Sequence, residues 1–163
     1  MLVLGHVASA TTACRALDRR ADLRAVVFLT LLADLVDKPF GLIVFRETIN
    51  NGRVWFHSLA VNLVLTLLLV LWRKPLVFGL ALWMHQLCDL MWTRPWVALW
   101  PLTGAFGYRD LPLDQWVYSV FNRYNVVTEI LGLFVLAFFA ARYRLYRRDP
   151  LWHLLTKGRL GSS

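Results

Sequence analysis

The chain has 163 residues, of which 58% are hydrophobic and 17% are charged, and its 18 Lys and Arg outnumber its 10 Asp and Glu. Soluble domains are about 45–50% apolar and about 25% charged, so this chain has too little polar surface to cover a small soluble globule. The composition argues against a soluble enzyme, a disordered chain and a nucleic-acid-binding module, and it indicates a lipid bilayer as the solvent.

Five apolar stretches follow one another along the chain, at Leu2–Cys14, Leu23–Phe45, Ser58–Trp72, Pro75–Trp92 and Asn125–Ala141. A helix that spans a bilayer needs about 17–25 residues, so the first and third stretches are short. None has the strict alternation of a barrel strand, which favours helices. We therefore predict an all-α polytopic membrane bundle of about five helices, the first one short, in a single domain over residues 1–156. Residues 157–163 are predicted to be a flexible tail or an expression remnant.

The loops after the first, third and fifth stretches hold 12 of the 18 Lys and Arg residues. In a five-helix arrangement these loops share one side of the membrane, and basic residues accumulate on the cytoplasmic side. We therefore expect an integral protein of the inner (cell) membrane, with its N-terminus outside and its C-terminus in the cytoplasm. Basic residues follow the first apolar stretch rather than precede it, so no cleavable signal peptide is predicted.

The long loop between the fourth and fifth stretches then faces outward. It is rich in aromatic residues, namely Trp96, Trp100, Tyr108, Trp116, Tyr118 and Tyr124. Amphipathic aromatic side chains favour the headgroup layer of a membrane. The loop is therefore either an aromatic belt or a lid over a functional site.

Seven carboxyl or imidazole side chains lie in or at the mouth of the apolar stretches, namely His6, Asp34, Asp37, His57, His85, Asp89 and Glu129. Burying such a group in hydrocarbon costs from a few kcal/mol upward, so each needs a partner, a cavity or a function. Counted from the basic flank of each helix at about 1.5 Å per residue, all seven lie roughly 14–24 Å above the cytoplasmic ends. Five helices are thus predicted to bring a titratable side chain to one level.

The spacing within two of the helices predicts a metal site. Asp34 and Asp37 are three residues apart and His85 and Asp89 are four residues apart, so each pair shares one helix face. Imidazole and carboxylate ligands together favour zinc, with manganese or iron as alternatives. Six candidate ligands exceed the needs of one tetrahedral zinc ion. Either two ions bind, or some of the residues orient the ligands or act as a general base.

Structural interpretations of the same residues stay open. An isolated histidine near a helix end is more often structural than a ligand, and either aspartate of the second stretch could pair with Lys38 or Arg53. Glu129 is as compatible with a hydrogen bond to Asn125, one turn earlier, as with a contact to a metal. The pair His85 and Asp89 is harder to explain in this way, because its Leu- and Trp-rich surroundings give it no access to solvent.

Short motifs surround the candidate ligands: Gly-His-Val-Ala at 5–8, Ala-Asp-Leu-Val-Asp-Lys-Pro at 33–39, Gly-Arg at 52–53 with Phe-His-Ser at 56–58, His-Gln-Leu-Cys-Asp at 85–89 and Trp-Pro-Leu at 100–102. In these motifs and their order, the sequence resembles the YdjM-like family of membrane-bound metal-dependent hydrolases, described as LexA-regulated in enteric bacteria. The resemblance implies metal-dependent hydrolysis. It also implies a set of metal ligands, His6, Asp34, Asp37, His57, His85 and Asp89, and two cations at the site, Lys38 and Arg53.

We therefore expect a hydrolase whose one or two divalent ions, zinc first, lower the pKa of bound water towards about 7. Asp34, His57, His85 and Asp89 are the expected ligands. The roles of completing the ligand shell or acting as the general base fall to His6 and Asp37.

Three cations, Lys38, Arg53 and Arg94, lie on the same outward side and favour an anionic substrate such as a phosphoester. Because the site would open under an aromatic loop, we expect a lipid or a lipid-linked phosphate, with membrane lipids as the partners. Arg94, Asn125 and Glu129 are expected to support the site from around the ligands. The sequence does not predict the oligomeric state.

Two other classes of function fit parts of the pattern. Buried carboxylates and histidines also form ion- or proton-coupled pathways, but a pathway needs polar groups across the whole membrane rather than at one level. In an assembly or regulatory protein, the same groups would only fix helix packing.

Overall fold

The computed structural model describes residues 1–110 and 112–160, and within these ranges the protein is all-helical, without a β-strand. Its α-helices are α1 (Val3–Leu17), α2 (Leu23–Pro39), α3 (Leu59–Leu71), α4 (Leu76–Cys88), α5 (Pro95–Ala98), α6 (Leu113–Val120), α7 (Arg123–Arg142) and α8 (Arg148–Lys157). The prediction of an all-α protein is confirmed. The five apolar stretches of the sequence correspond to α1, α2, α3, α4 and α7.

Polar residues mark where three of these helices begin. Asp22, Ser58 and Asn122 precede α2, α3 and α7, and each side chain accepts a hydrogen bond from a first-turn amide at 2.9, 3.3 and 3.0 Å, respectively. Such a cap satisfies an amide that has no partner within the helix. α2 ends at Pro39 and is followed by a π-helical turn over Phe40–Val44, so the second apolar stretch is α-helical only over its first 17 residues.

The helix α1 lies at the centre of the bundle and contacts α2, α4 and α7, while α3 packs against α4. The backbones of α1 and α7 come especially close, because a Cβ atom added at Gly132 would lie 2.7 Å from the amide nitrogen of Gly5. Small residues allow such close approach between helices in membranes. Towards the C-terminal end of α1, the helices bury an apolar core of Ala10, Cys14, Ala21, Val26, Val77 and Ala81.

Within the part of the chain that the structure describes, one helix is long and apolar enough to cross a membrane, and this is α7 with 20 residues. Only 11% of its apolar window is buried inside the protein, so α7 is not the core helix of a globular domain. Its exposed apolar surface is typical of a helix that faces lipid or another protein. The helices α3 and α4 are also apolar but have 13 residues each. The five membrane-spanning helices therefore remain a prediction.

The loop after α4 contains the short helices α5 and α6 and packs over the segment that follows α2. The ring of Phe106 meets the edge of Trp55 at 6.0 Å, and the Arg109 amide donates to the carbonyl of Ile49 at 2.9 Å. The loop therefore lies over the end of the bundle at which α2 ends. The side chain of Trp116, one of the aromatic residues predicted for this loop, lies outside the described residues.

The C-terminal helix α8 packs near the start of α2, and the flexible tail over residues 157–163 stays a prediction. The helix α8 ends at Lys157, and the next residue, Gly158, accepts a hydrogen bond from the Leu23 amide at 2.7 Å. Leu160 is buried as well. The chain is thus packed against the start of α2 as far as residue 160, and residues 161–163 lie outside the described ranges.

Candidate metal centre

Six titratable side chains lie together at one end of the bundle. They come from the start of α1, the last two turns of α2, the end of α4, and a 3-10 turn (Trp55–His57) before α3. All of them are buried, with no more than 9% of any residue exposed: His6, Asp34, Asp37, His57, His85 and Asp89. Because buried polar groups need partners, the contacts among these six residues decide what the cluster can do.

The imidazoles of His57 and His85 form the centre of the cluster. Their Nε2 atoms are 3.1 Å apart, and the carboxylate oxygens Asp34 Oδ1 and Asp89 Oδ2 lie 3.6 and 3.7 Å from His57 Nε2. The two carboxylate distances are longer than a hydrogen bond. They are close to the spacing of ligands that share one ion, since two atoms at about 2.0–2.2 Å from a tetrahedral zinc are about 3.3–3.6 Å apart.

His6 extends the cluster on the α1 side. Its ring stacks on the ring of His85 at 4.2 Å, and its Nε2 lies 3.1 Å from Asp89 Oδ1. The cluster contains two groups of three residues whose ligand atoms, one from each residue, all lie within 4.8 Å of one another. The first group is His6, His85 and Asp89, and the second is Asp34, His57 and His85. Because the groups share His85, the cluster offers either one ligand-rich site or two adjacent sites.

The donor set fits a divalent metal ion. Three imidazoles and two carboxylates without a thiolate are ligands that suit zinc, manganese or iron. Within the described residues, the Nδ1 atoms of His6 and His85 are buried and have no hydrogen-bond partner. The Nε2 atoms of the same two rings face the cluster, so each ring offers it one ligand nitrogen.

Asp37 lies behind His57. Its Oδ2 accepts hydrogen bonds from the amides of Val54 and His57 at 2.9 and 3.1 Å and lies 2.7 Å from His57 Nδ1. Its Oδ1 accepts from the Phe56 amide at 3.1 Å. Three of these four contacts are made by Oδ2 and one by Oδ1. This geometry orients the imidazole and leaves Nε2 facing the cluster. The expected role of Asp37 as a ligand or general base stays a prediction.

The other two aspartates have basic partners. Lys38 Nζ lies 2.6 Å from Asp34 Oδ2, and Arg53 Nε lies 2.6 Å from Asp89 Oδ2. The α-amino group of Met1 lies 2.6 Å from Asp89 Oδ1. Asp34 therefore forms the salt bridge with Lys38 that the sequence allowed. Its other oxygen, Oδ1, still faces the cluster.

A polar cavity of about 280 Å³ opens beside these cations and is lined by Lys38, Arg53, Arg109 and three asparagines. Arg94 lies nearby, and burial together with the positive charges of Arg53 and Arg109 lowers the pKa of its guanidinium. Cations concentrated around one cavity favour an anionic ligand. Arg109 was not among the predicted site residues, because the sequence indicates only that it lies in the outward-facing loop.

Two residues expected to support the cluster have other contacts. The Glu129 carboxylate accepts hydrogen bonds from the amides of Leu4 and Gly5 at 3.0 and 2.9 Å. The carboxylate thus caps α1, whose free amides and positive dipole end favour an anion. Support of the cluster by Glu129 stays a prediction. The side-chain Nδ2 of Asn125 donates to the carbonyl of Val120 at 2.9 Å, and the residue lines the polar cavity.

Comparison with known proteins gives one match. A family model described as YdjM inner membrane protein covers residues 1–151. No curated protein and no solved structure matches the chain.

Proposed function

This chain belongs to the YdjM inner membrane protein family, and from that premise we propose that it is a membrane-embedded, metal-dependent hydrolase. Its substrate in this proposal is a phosphoester of a lipid or of a lipid-linked molecule. The proposal includes five membrane-spanning helices with the N-terminus outside and the C-terminus in the cytoplasm, so that the cluster opens towards the outer leaflet. The distribution of Lys and Arg between the loops supports this orientation.

The observation that carries the proposal is the convergence of His57 Nε2 and His85 Nε2, 3.1 Å apart, with carboxylate oxygens from α2 and α4. Packing alone does not require three buried imidazoles to meet, because two facing ring nitrogens gain little unless a proton or an ion lies between them. A divalent ion held there would act as a Lewis acid and make a water molecule nucleophilic at neutral pH. Zinc suits this donor set first, and the shared His85 leaves room for one ion or two.

The residues around the cluster have separable roles in this proposal. Asp34, His57, His85 and Asp89, with His6, hold the ion, and Asp37 keeps His57 in one tautomer and orientation. Lys38 and Arg53 each hold one carboxylate and also line the polar cavity. There they can contact the phosphate oxygens of a substrate, because Arg and Lys stabilise the charge that develops during phosphoester cleavage.

Transport is less well supported than hydrolysis. A transported ion needs polar groups along its path to the other side of the membrane. Beyond the cluster, towards the C-terminal end of α1, the described residues form an apolar core that includes Ala10, Cys14 and Val26. That core would close the path.

The metal content of the purified protein tests the proposal. We expect elemental analysis of the detergent-purified protein to find about one or two equivalents of zinc, manganese or iron per chain. His85→Ala should lose the metal, because His85 belongs to both ligand groups. The matched control is His153→Ala, which changes an exposed histidine of α8 and should retain it. The protein should also turn over an isoprenoid phosphate or phosphatidic acid only when metal is bound.

Two results would overturn the proposal. A wild-type protein that purifies without metal and binds neither zinc nor manganese when they are supplied has no metal centre. A protein that binds metal at His85 but moves an ion across a sealed vesicle and hydrolyses no phosphoester is a transporter.

A further inference from the structure

We propose that a groove between α2 and α7 holds the hydrocarbon chain of the substrate while the polar cavity holds its phosphate. The ligand is thus an amphipathic phosphate with a long chain, either an isoprenoid or a diacyl lipid. The inference deepens the proposed function and rests on it for the chemistry at the headgroup. The binding of the chain can be tested without turnover.

The groove is a cavity of about 630 Å³ whose walls come from α1, α2 and α7, with α8 at the far end. Its lining includes Val7 on α1, Leu31 and Leu35 on α2, and Leu136 and Phe139 on α7. The volume lies within the range of about 300–1,000 Å³ that is common for pockets binding one small ligand. An apolar groove of this size in a membrane protein can hold a chain that would otherwise lie among the bilayer lipids.

The one charged residue among those that line the groove is Arg24, and its charge is already partnered. Its guanidinium lies 2.7 Å from Asp22 and donates to the carbonyl of Thr156 at 2.8 Å. Arg24 therefore connects the start of α2 to α8 and closes the far end of the groove. Lys38, Arg53 and Arg109 lie at the opposite end, in the polar cavity.

The groove and the polar cavity lie on the same helix faces. On α2, Lys38 lines the polar cavity, and Leu35 and Leu31, three and seven residues earlier, line the groove. On α7, Asn125 lines the polar cavity, and Leu136, eleven residues later, lines the groove. Separations of three, seven and eleven residues return to one face of an α-helix. The two cavities therefore follow each other along the same wall, first cationic and then apolar.

The dimensions match a lipid chain. Ten residues of α2 separate Lys38 from Phe28, which also lines the groove, so this wall is about 15 Å long. The hydrocarbon of one leaflet has about the same thickness, half of roughly 30 Å. A phosphate beside Lys38 would thus place a chain of ordinary length within the groove, and the cationic end complements its charge.

Binding of alkyl phosphates tests the groove directly. We expect affinity to rise with chain length from butyl phosphate upwards until the groove is filled. The rise should be smaller than the factor of about four per methylene that transfer from water gives, because the detergent also solvates the free chain. The series is measured by competition against a fluorescent long-chain phosphate in detergent. Leu31→Trp should fill the middle of the groove, so that the rise ends at a shorter chain and the hexadecyl ester binds at least about tenfold more weakly.

Two further variants make the result interpretable. Leu67→Trp changes an exposed leucine of α3, away from the groove, and should bind the whole series like the wild type. Leu136→Trp fills the groove from the α7 wall and should repeat the effect if Leu31→Trp folds poorly. The inference is overturned if both groove variants fold and show the same chain-length dependence as Leu67→Trp.

The proposed function can fail separately from this inference. Metal content and turnover of butyl phosphate test the site alone, and both should be unchanged in the control Leu67→Trp. A protein without metal or turnover whose chain-length dependence still requires Leu31 has the groove but is not a hydrolase. Long-chain turnover that responds equally to Leu31→Trp and Leu67→Trp would support the hydrolase and refute the groove. Competition by an isoprenoid phosphate against phosphatidic acid then identifies the source of the chain.

Discussion

Replacing Asp37 by Asn separates a positioning residue from a metal ligand with little change in volume. The carboxylate accepts from three backbone amides and contacts His57 Nδ1. In the variant, the best orientation keeps the carbonyl oxygen at the Oδ2 position, where three of these contacts are made. The new NH₂ group then faces the Phe56 amide, so two donors oppose each other.

The size of the effect follows from these contacts. One buried donor pair left unsatisfied costs about 1–3 kcal/mol in stability. The loss of the negative charge behind His57 also weakens the orientation of its ring, and changes to such outer partners typically reduce metal affinity by about 10- to 100-fold. The variant should therefore bind the same number of ions as the wild type, but more weakly.

Metal affinity is measured by competition with a chromophoric chelator, and stability by thermal unfolding of the metal-free protein in detergent. His57→Ala is the comparison that removes a ligand, and Asp149→Asn changes an aspartate in the first turn of α8, away from the cluster. Unchanged metal affinity in Asp37→Asn would refute the positioning role. A drop in the number of bound ions, equal to that of His57→Ala, would show that Asp37 is itself a ligand.

Three other predictions concern the helix packing, the cations and the acid stability. Gly132→Ala should destabilise the protein by about 1–3 kcal/mol, because the added Cβ meets the α1 backbone at 2.7 Å. Its thermal midpoint is compared with that of the control Gly107→Ala, whose Cβ would lie in open space. Arg53→Met should weaken the inhibition of hydrolysis by inorganic phosphate about tenfold, without loss of bound metal. Equal inhibition of the variant and the wild type would show that the anion binds elsewhere. The hydrogen bond from Arg24 lowers the pKa of Asp22 in the folded protein, so this stabilisation is present above about pH 4 and is lost as the pH falls. Asp22→Asn keeps the helix cap but has no carboxylate to titrate. Between neutral and acidic pH, its free energy of unfolding should therefore fall by up to about 1 kcal/mol less than that of the wild type, as measured by unfolding curves over this pH range.

The sequence by itself determined the helices and the depth of the polar residues. Apolar runs bounded by Pro and basic residues predicted α1, α2, α3, α4 and α7, because helix formation depends on neighbouring residues. The spacing of His85 and Asp89 fixed their common helix face for the same reason. Counting residues from each basic flank then predicted seven titratable groups at one level, and the structure brings six of them together.

Only the tertiary structure decided which contacts each of those groups makes. Spacing along a helix does not fix the rotation of that helix against its neighbours or the path of a loop between them. The segment before α3 folds back onto the end of α2, and this return lets Asp37 take four hydrogen bonds and turns His57 Nε2 inward. Glu129 shares the depth of the cluster but faces the start of α1, because α7 packs on α1. The polar cavity with Arg109, and the groove between α2 and α7, likewise depend on contacts between segments that are far apart in the chain.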